Sequence, residues 1–155
     1  MTMETTKTSL TENEGNTLFD NSEKVYSKDF SWYAGIFGWP AAILVVLQIL
    51  FEVIIRRQYP LFPAEQTWEV SILLIVCYLT FITILAIKKY QAKQEQVLIA
   101  NVTGGLITSL AIAIFQLFWH GRLWTIFNLI ALPLLSIALG LVLGYMIYKI
   151  YKLIK

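Results

Sequence analysis

A few polar side chains interrupt the apolar stretches of this sequence, and they are the residues whose types could do chemistry. Glu52 is the one acidic residue inside an apolar run, and His120 is the one histidine of the chain. Polar and ionisable residues inside a membrane segment are candidates for a functional site by default. With three amide side chains they could line a small outward-facing polar pocket of a transporter or channel. The pocket candidates are Gln48, Glu52, Gln116 and Asn128, with His120 beside them.

Each pocket candidate also has a structural interpretation. The amides can hydrogen-bond to neighbouring helices, at ~1 kcal/mol each. Glu52 stands four residues before Arg56, a helical spacing that allows an ion pair near the membrane boundary instead of a proton or cation site. His120 is expected to be a solvated residue at a helix end. The sequence leaves the pocket and the structural interpretation open.

A short internal similarity accompanies these residues. Residues 48–52 and 116–120 both begin with glutamine and end four positions later with an ionisable residue. Duplicated halves are common in transporters. Five positions are too few to establish a duplication.

Residues for catalysis or metal binding are scarce. Cys77 is the single cysteine, so it cannot form an intramolecular disulfide, and its apolar surroundings predict a buried core residue. A cluster of Cys and His with metal-ligand spacing is missing. One histidine and one intramembrane acid also leave little for acid–base catalysis. The sequence therefore predicts a protein without enzymatic activity, cofactor or metal.

Four apolar runs must position the polar residues. A helix needs about 20 apolar residues to cross a bilayer core of ~30 Å. The predicted spans are 31–55, 70–87, 97–119 and 123–148. They indicate an all-α fold, an integral membrane four-helix bundle.

The remaining segments are polar or rich in proline. Residues 1–29 are rich in Thr, Glu, Asn and Ser and predict a disordered cytoplasmic tail. The four-span domain then covers residues 30–155. Pro60 and Pro63 favour a non-helical loop over residues 58–68.

Small residues recur at every fourth position in the last two spans. If these spans form an antiparallel hairpin, facing residues have position numbers with a constant sum. The pairs 105 and 144, 109 and 140, and 113 and 136 each add up to 249. Small residues allow close approach of helices in lipid. The pattern predicts a helix-packing seam formed by Gly105, Ser109, Ala113, Ser136, Gly140 and Gly144.

Composition and charge point to the lipid bilayer as the main partner. The chain of 155 residues is 57% hydrophobic and 14% charged, whereas soluble domains carry roughly a quarter charged residues. The net charge of +2 includes no basic patch that would favour nucleic acid. Eight lysines flank the spans on the side of both termini, against three arginines on the other side. This asymmetry predicts cytoplasmic termini, with the plasma membrane as the expected location.

Two classes of function remain. The first is a non-enzymatic protein that works through helix packing, as a homo-oligomer or as a subunit of a membrane complex. The second is a small transporter or channel built around the polar pocket. The first ranks higher because coupled transporters place an ionisable residue near the bilayer midplane. Glu52 lies close to the end of its span instead.

Overall fold

Four long helices make up the part of the chain that the structure describes. The computed structural model describes residues 28–55, 64–120 and 125–154. All four helices are long and apolar enough to cross a membrane, and the described ranges contain no strand. The prediction of an all-α protein with four spans is confirmed. The helices are α1 (Phe30–Leu50, continued by a π-helical turn at Phe51–Ile55), α2 (Ala64–Lys88), α3 (Gln94–His120) and α4 (Thr125–Ile154).

Two helices are longer than their apolar runs. α2 begins at Ala64, so residues 64–68 are helical where the sequence predicted a loop. Alanine, glutamate and glutamine, which the sequence has at positions 64–66, are good helix formers. α4 continues to Ile154, beyond the apolar span that ends at residue 148, as the amphipathic, basic sequence of residues 149–155 predicts. An apolar run marks only the part of a helix that crosses the bilayer. Residues with high helix propensity extend the helix beyond that part.

Some sequence-based predictions lie outside the described residues. They are the disordered tail, except for its last residues Lys28 and Asp29, and the loop over residues 58–63.

Close backbone packing is concentrated between α3 and α4, which form an antiparallel hairpin, and α2 packs against both. α1 meets its neighbours through large side chains. The hydroxyl of Tyr78 on α2 donates to the carbonyl oxygen of Phe37 at 3.4 Å, and the hydroxyl of Tyr90 donates to that of Gly35 at 3.0 Å. Tyrosine hydroxyls thus tie the backbone of α1 to the rest of the bundle.

The outer surface of the bundle is apolar and the interior holds its polar side chains. Leu73, Ile130 and Leu134 are more than 60% exposed. A bilayer is the solvent that such a surface requires, because lipid solvates apolar side chains and leaves polar groups to pair inside.

Cys77 lies on the outer surface of α2, and the prediction that it is buried is wrong. In lipid, a small apolar side chain is equally compatible with the bundle interior and with the outer surface. The apolar context of Cys77 in the sequence therefore could not distinguish the two positions.

Candidate functional site

The four pocket candidates meet at one end of the bundle. Gln48 lies in the last turn of α1, Glu52 in the π-helical turn, Gln116 near the end of α3 and Asn128 in the first turn of α4. Their exposed fractions are 0%, 1%, 3% and 7%. Residues from three distant parts of the sequence are thus brought into one buried cluster.

Glu52 is the centre of this cluster. Its Oε1 accepts hydrogen bonds from the Nε2 groups of Gln48 and Gln116, both at 2.8 Å. Its Oε2 lies 2.9 Å from Nε2 of His120, and this contact is an ion pair when the histidine is protonated. Both carboxylate oxygens of Glu52 are therefore engaged by side chains of α1 and α3.

Ser71 and Asn128 extend the cluster to all four helices. The hydroxyl oxygen of Ser71, on α2, accepts from Nε2 of Gln48 at 2.8 Å and from Nε2 of Gln116 at 3.3 Å. The amide of Asn128 donates to Oε1 of Gln116 at 2.9 Å. We call these six residues the Glu52 network: Gln48, Glu52, Ser71, Gln116, His120 and Asn128.

The π-helical turn gives the network its central residue. A π-helical turn widens the helix by one residue, and such turns are frequent at functional sites. Here the turn spans Phe51–Ile55, and Glu52 is its second residue. The local departure from α-helix therefore coincides with the one acidic residue of the network.

His120 is not the solvated turn residue that the sequence predicted. It ends α3, its side chain is 13% exposed, and its ring contacts the carboxylate of Glu52. The hydrogen bonds from Gln116 and His120 to Glu52 bring the end of α3 beside the end of α1. Arg56, the predicted partner of Glu52, lies outside the described residues.

Ser71 is the network residue that the sequence analysis missed. A serine in an apolar helix often bonds to its own backbone and has no distinctive spacing. Its importance depends on which face of α2 meets α1 and α3. The apolar pattern of α2 does not reveal that face.

The chemistry available to the Glu52 network is proton or cation binding. A carboxylate beside an imidazole can hold a proton and pass it to the ring. The amide oxygen of Gln48, Oε1, is buried and accepts no hydrogen bond within the described residues. The same ranges hold no group of three or more His, Cys, Asp or Glu side chains that could bind a metal ion.

All six residues of the helix-packing seam are buried. A methyl group added at Gly105 would lie 3.3 Å from the carbonyl oxygen of Ser136. One added at Gly140 would lie 3.3 Å from backbone atoms of Asn101, and one at Gly144 would clash with the Asn101 amide. The small residues of α3 and α4 thus lie where the two backbones approach.

The predicted register of the seam is wrong by about one helical turn. Ser109 faces Ser136, with their hydroxyl oxygens 2.9 Å apart, where a sum of 249 would place Gly140. When small residues recur at every fourth position, shifting one helix against the other by one turn again places small residues opposite small residues. The size of the side chains alone therefore does not determine the register. The connector is centred near residue 122 in the sequence. In an antiparallel hairpin, residues at equal distances along the chain from this midpoint face each other. Their numbers then add up to about 244, as those of Gln116 and Asn128 do.

A second polar contact lies in the other half of the bundle. The amide nitrogen of Asn101 donates to the hydroxyl of Thr83 at 2.8 Å and to the carbonyl oxygen of Gly140 at 3.2 Å. A sum of 249 would place Tyr148 opposite Asn101. The observed contacts join α2, α3 and α4, and they depart from the sum of 249 in the same direction as the Ser109–Ser136 pair.

Comparison with protein-family models, with curated proteins and with solved structures found no match to this chain.

Proposed function

We propose that this integral membrane protein works through helix packing, without catalysis, as a homo-oligomer or as a subunit of a membrane complex. A row of small residues on the surface of α1 carries the proposal. Ala34, Gly38 and Ala42 follow one another at every fourth position and are half-buried or exposed. Rows of this kind let two membrane helices approach closely.

Gly38 differs from the other glycines of the helices. A methyl group at Gly35, Gly104 or Gly140 would contact another side chain or helix backbone, whereas no described atom lies within 4 Å of one at Gly38. Because glycine lowers helix stability by roughly 0.5–1 kcal/mol relative to alanine, a glycine with open space beside it favours a partner outside the bundle. A helix of a second copy or of another protein would fill that space.

The Glu52 network supports the same proposal. Its polar groups bond to one another across all four helices, and interhelical hydrogen bonds stabilise membrane bundles. We infer that the plasma membrane is the location and that both termini are cytoplasmic, on the excess of lysines at their end of the bundle.

Gly38→Leu tests the proposal. The new side chain points into open space, so the variant should fold and retain its thermal stability. Size-exclusion chromatography with light scattering in mild detergent should show the wild type as an assembly larger than one protomer of 17.8 kDa. Gly38→Leu should shift it to the protomer mass.

Ile43→Phe is the matched control, since Ile43 is 51% exposed elsewhere on the surface of α1. It also adds bulk, and it should leave the assembly intact. A Gly38→Leu variant that keeps its assembly would contradict the proposal, and a wild type that runs as a single protomer would contradict the homo-oligomer.

A small transporter or channel is the second candidate function. It is favoured by the side-chain oxygen of Gln48, which lies beside the Glu52–His120 pair and accepts no hydrogen bond within the described residues. A partly exposed histidine next to a buried carboxylate offers a route for a proton. In this alternative, the Glu52 network opens as an outward-facing polar pocket and a proton or cation passes through it.

Proton flux into liposomes separates the two functions. Purified protein in vesicles loaded with a pH-sensitive dye should conduct protons in the transport alternative, and Glu52→Gln should abolish the flux. Glu69→Gln removes an exposed carboxylate of α2 and serves as the control. Flux equal to that of empty vesicles would leave the packing function as the better account.

A further inference from the structure

A polar cavity lies at the end of the bundle opposite the Glu52 network. It measures about 470 Å³ and lies between the end of α2, the turn that follows, and the last turns of α4. Ile87 and Ala92, both 6% exposed, form its apolar floor. The polar groups that line it are Lys88, Gln91, Tyr148, Tyr151 and Lys152.

Two of these side chains are cations from different helices. Lys88 ends α2 and Lys152 lies in the last turn of α4, and both are exposed. Neither is paired with a carboxylate within the described residues. Lysine ammonium groups can only donate hydrogen bonds, so the cavity favours a ligand that supplies anionic acceptors.

The turn between α2 and α3 shapes one wall of the cavity. Gln91 adopts a positive φ of 48°, which reverses the chain directly after α2. The amide of Ala92 then donates to the carbonyl oxygen of Ala86 at 3.1 Å. This bond holds the turn, and with it Gln91 and Ala92, against the end of α2.

The surroundings of the cavity combine positive charge with apolar surface. Three more lysines lie at the same end of the bundle: Lys89, Lys93 and Lys149. The first turn of α3, at this end, contains one acidic residue, Glu95. The last turns of α4 also expose apolar side chains: Ile150, Leu153 and Ile154. An anion that carries a hydrocarbon chain fits both features, because its chain would contact this apolar surface.

We propose that this cavity binds the phosphate group of an anionic membrane lipid, held between Lys88 and Lys152. The hydroxyl group of Tyr148, which lines the cavity beside the lysines, can donate to a remaining phosphate oxygen. Basic pockets between membrane helices are known to bind anionic headgroups. The inference is independent of the packing function and of the Glu52 network.

Lipid binding to the purified full-length protein tests the proposal. The protein in a neutral detergent is titrated with short-chain phosphatidylglycerol, and bound lipid is counted by native mass spectrometry. A hydrogen bond from an exposed lysine to a phosphate oxygen contributes enough for about a fivefold change in affinity. The variant Lys88→Gln/Lys152→Gln should therefore bind about 30-fold more weakly than the wild type.

The control variant removes the same charge at the same end without touching the cavity. Lys89 and Lys149 stack over the rings of Tyr90 and Tyr145 and do not line it. Lys89→Gln/Lys149→Gln should weaken binding less than about twofold, as surface charges that make no specific contact contribute little. Equal weakening by the two pairs would show diffuse attraction and overturn the proposal.

Two further ligands identify the source of the phosphate. Phosphatidylcholine, which has no net charge, should bind much more weakly than phosphatidylglycerol. Inorganic phosphate at millimolar concentration should not displace the lipid, because it lacks the chain that contacts α4. Equal binding of phosphatidylcholine, or full displacement by inorganic phosphate, would overturn the assignment to an anionic lipid.

Discussion

Replacing Glu52 with leucine should destabilise the bundle more than any exposed substitution. The change removes the acceptor of three hydrogen bonds, from Gln48, Gln116 and His120. The bonds from Gln116 and His120 are interhelical and contribute about 0.6–1.7 kcal/mol each, and the bond from Gln48 within the same helix adds about 0.5–1 kcal/mol, so the expected loss is about 2–4 kcal/mol. The loss is limited because both glutamine donors keep Ser71 as an acceptor.

The free energy of unfolding of Glu52→Gln should lie between that of Glu52→Leu and that of the wild type. The amide keeps an oxygen for the two glutamine donors and presents an N–H to a neutral His120. It gives up the charge of the acceptor, and charge-assisted bonds are about twice as strong as neutral ones. We expect the free energy of unfolding to fall by about 1 kcal/mol, half or less of the loss on Glu52→Leu.

Titration with sodium dodecyl sulfate in mixed micelles, followed by tryptophan fluorescence, measures these free energies. Glu69→Gln is the control, because Glu69 is exposed at the same end of the bundle. It should change stability by less than about 0.5 kcal/mol. Wild-type stability of Glu52→Leu would refute the reasoning, since it would mean that the network contributes nothing to the fold.

Three further predictions concern the hairpin and the topology. Gly140→Leu should destabilise by about 1–3 kcal/mol in the same titration, because the α3 backbone lies 3.3 Å from the added atom, whereas Leu141→Ile should matter little. Cysteines at Ser109 and Ser136 should crosslink within one chain more readily than cysteines at Ser109 and Gly140; the reverse order would restore the sequence-derived register. A cysteine at Gln91 should resist an impermeant thiol reagent in intact cells, and labelling from outside would contradict cytoplasmic termini.

The architecture was predictable because long apolar runs are a strong signal. Lipid demands about 20 apolar residues for each helix, and this one physical requirement marks all four spans. The beginning of α2 at Ala64 escaped the prediction, since polar helix formers extend a helix beyond the bilayer core without changing the apolar pattern.

Membership of the Glu52 network was predictable for its amides and its acid. Polar side chains in apolar runs must find partners inside the bundle, so Gln48, Gln116 and Asn128 had to turn inward. Their exact pairing was not predictable, because it depends on which helices are adjacent and on the register of α3 against α4. Ser71 escaped for the same reason.

Crosslinking in the native membrane tests the packing function most directly. A photoreactive amino acid replaces Ala42, in the small row of α1, and a second variant carries it at Ile130, which is 64% exposed on α4. After illumination, position 42 should form an adduct with protein, either a second copy of this chain or one other membrane protein, while position 130 should mainly capture lipid. Adducts with lipid alone at position 42 would contradict the account.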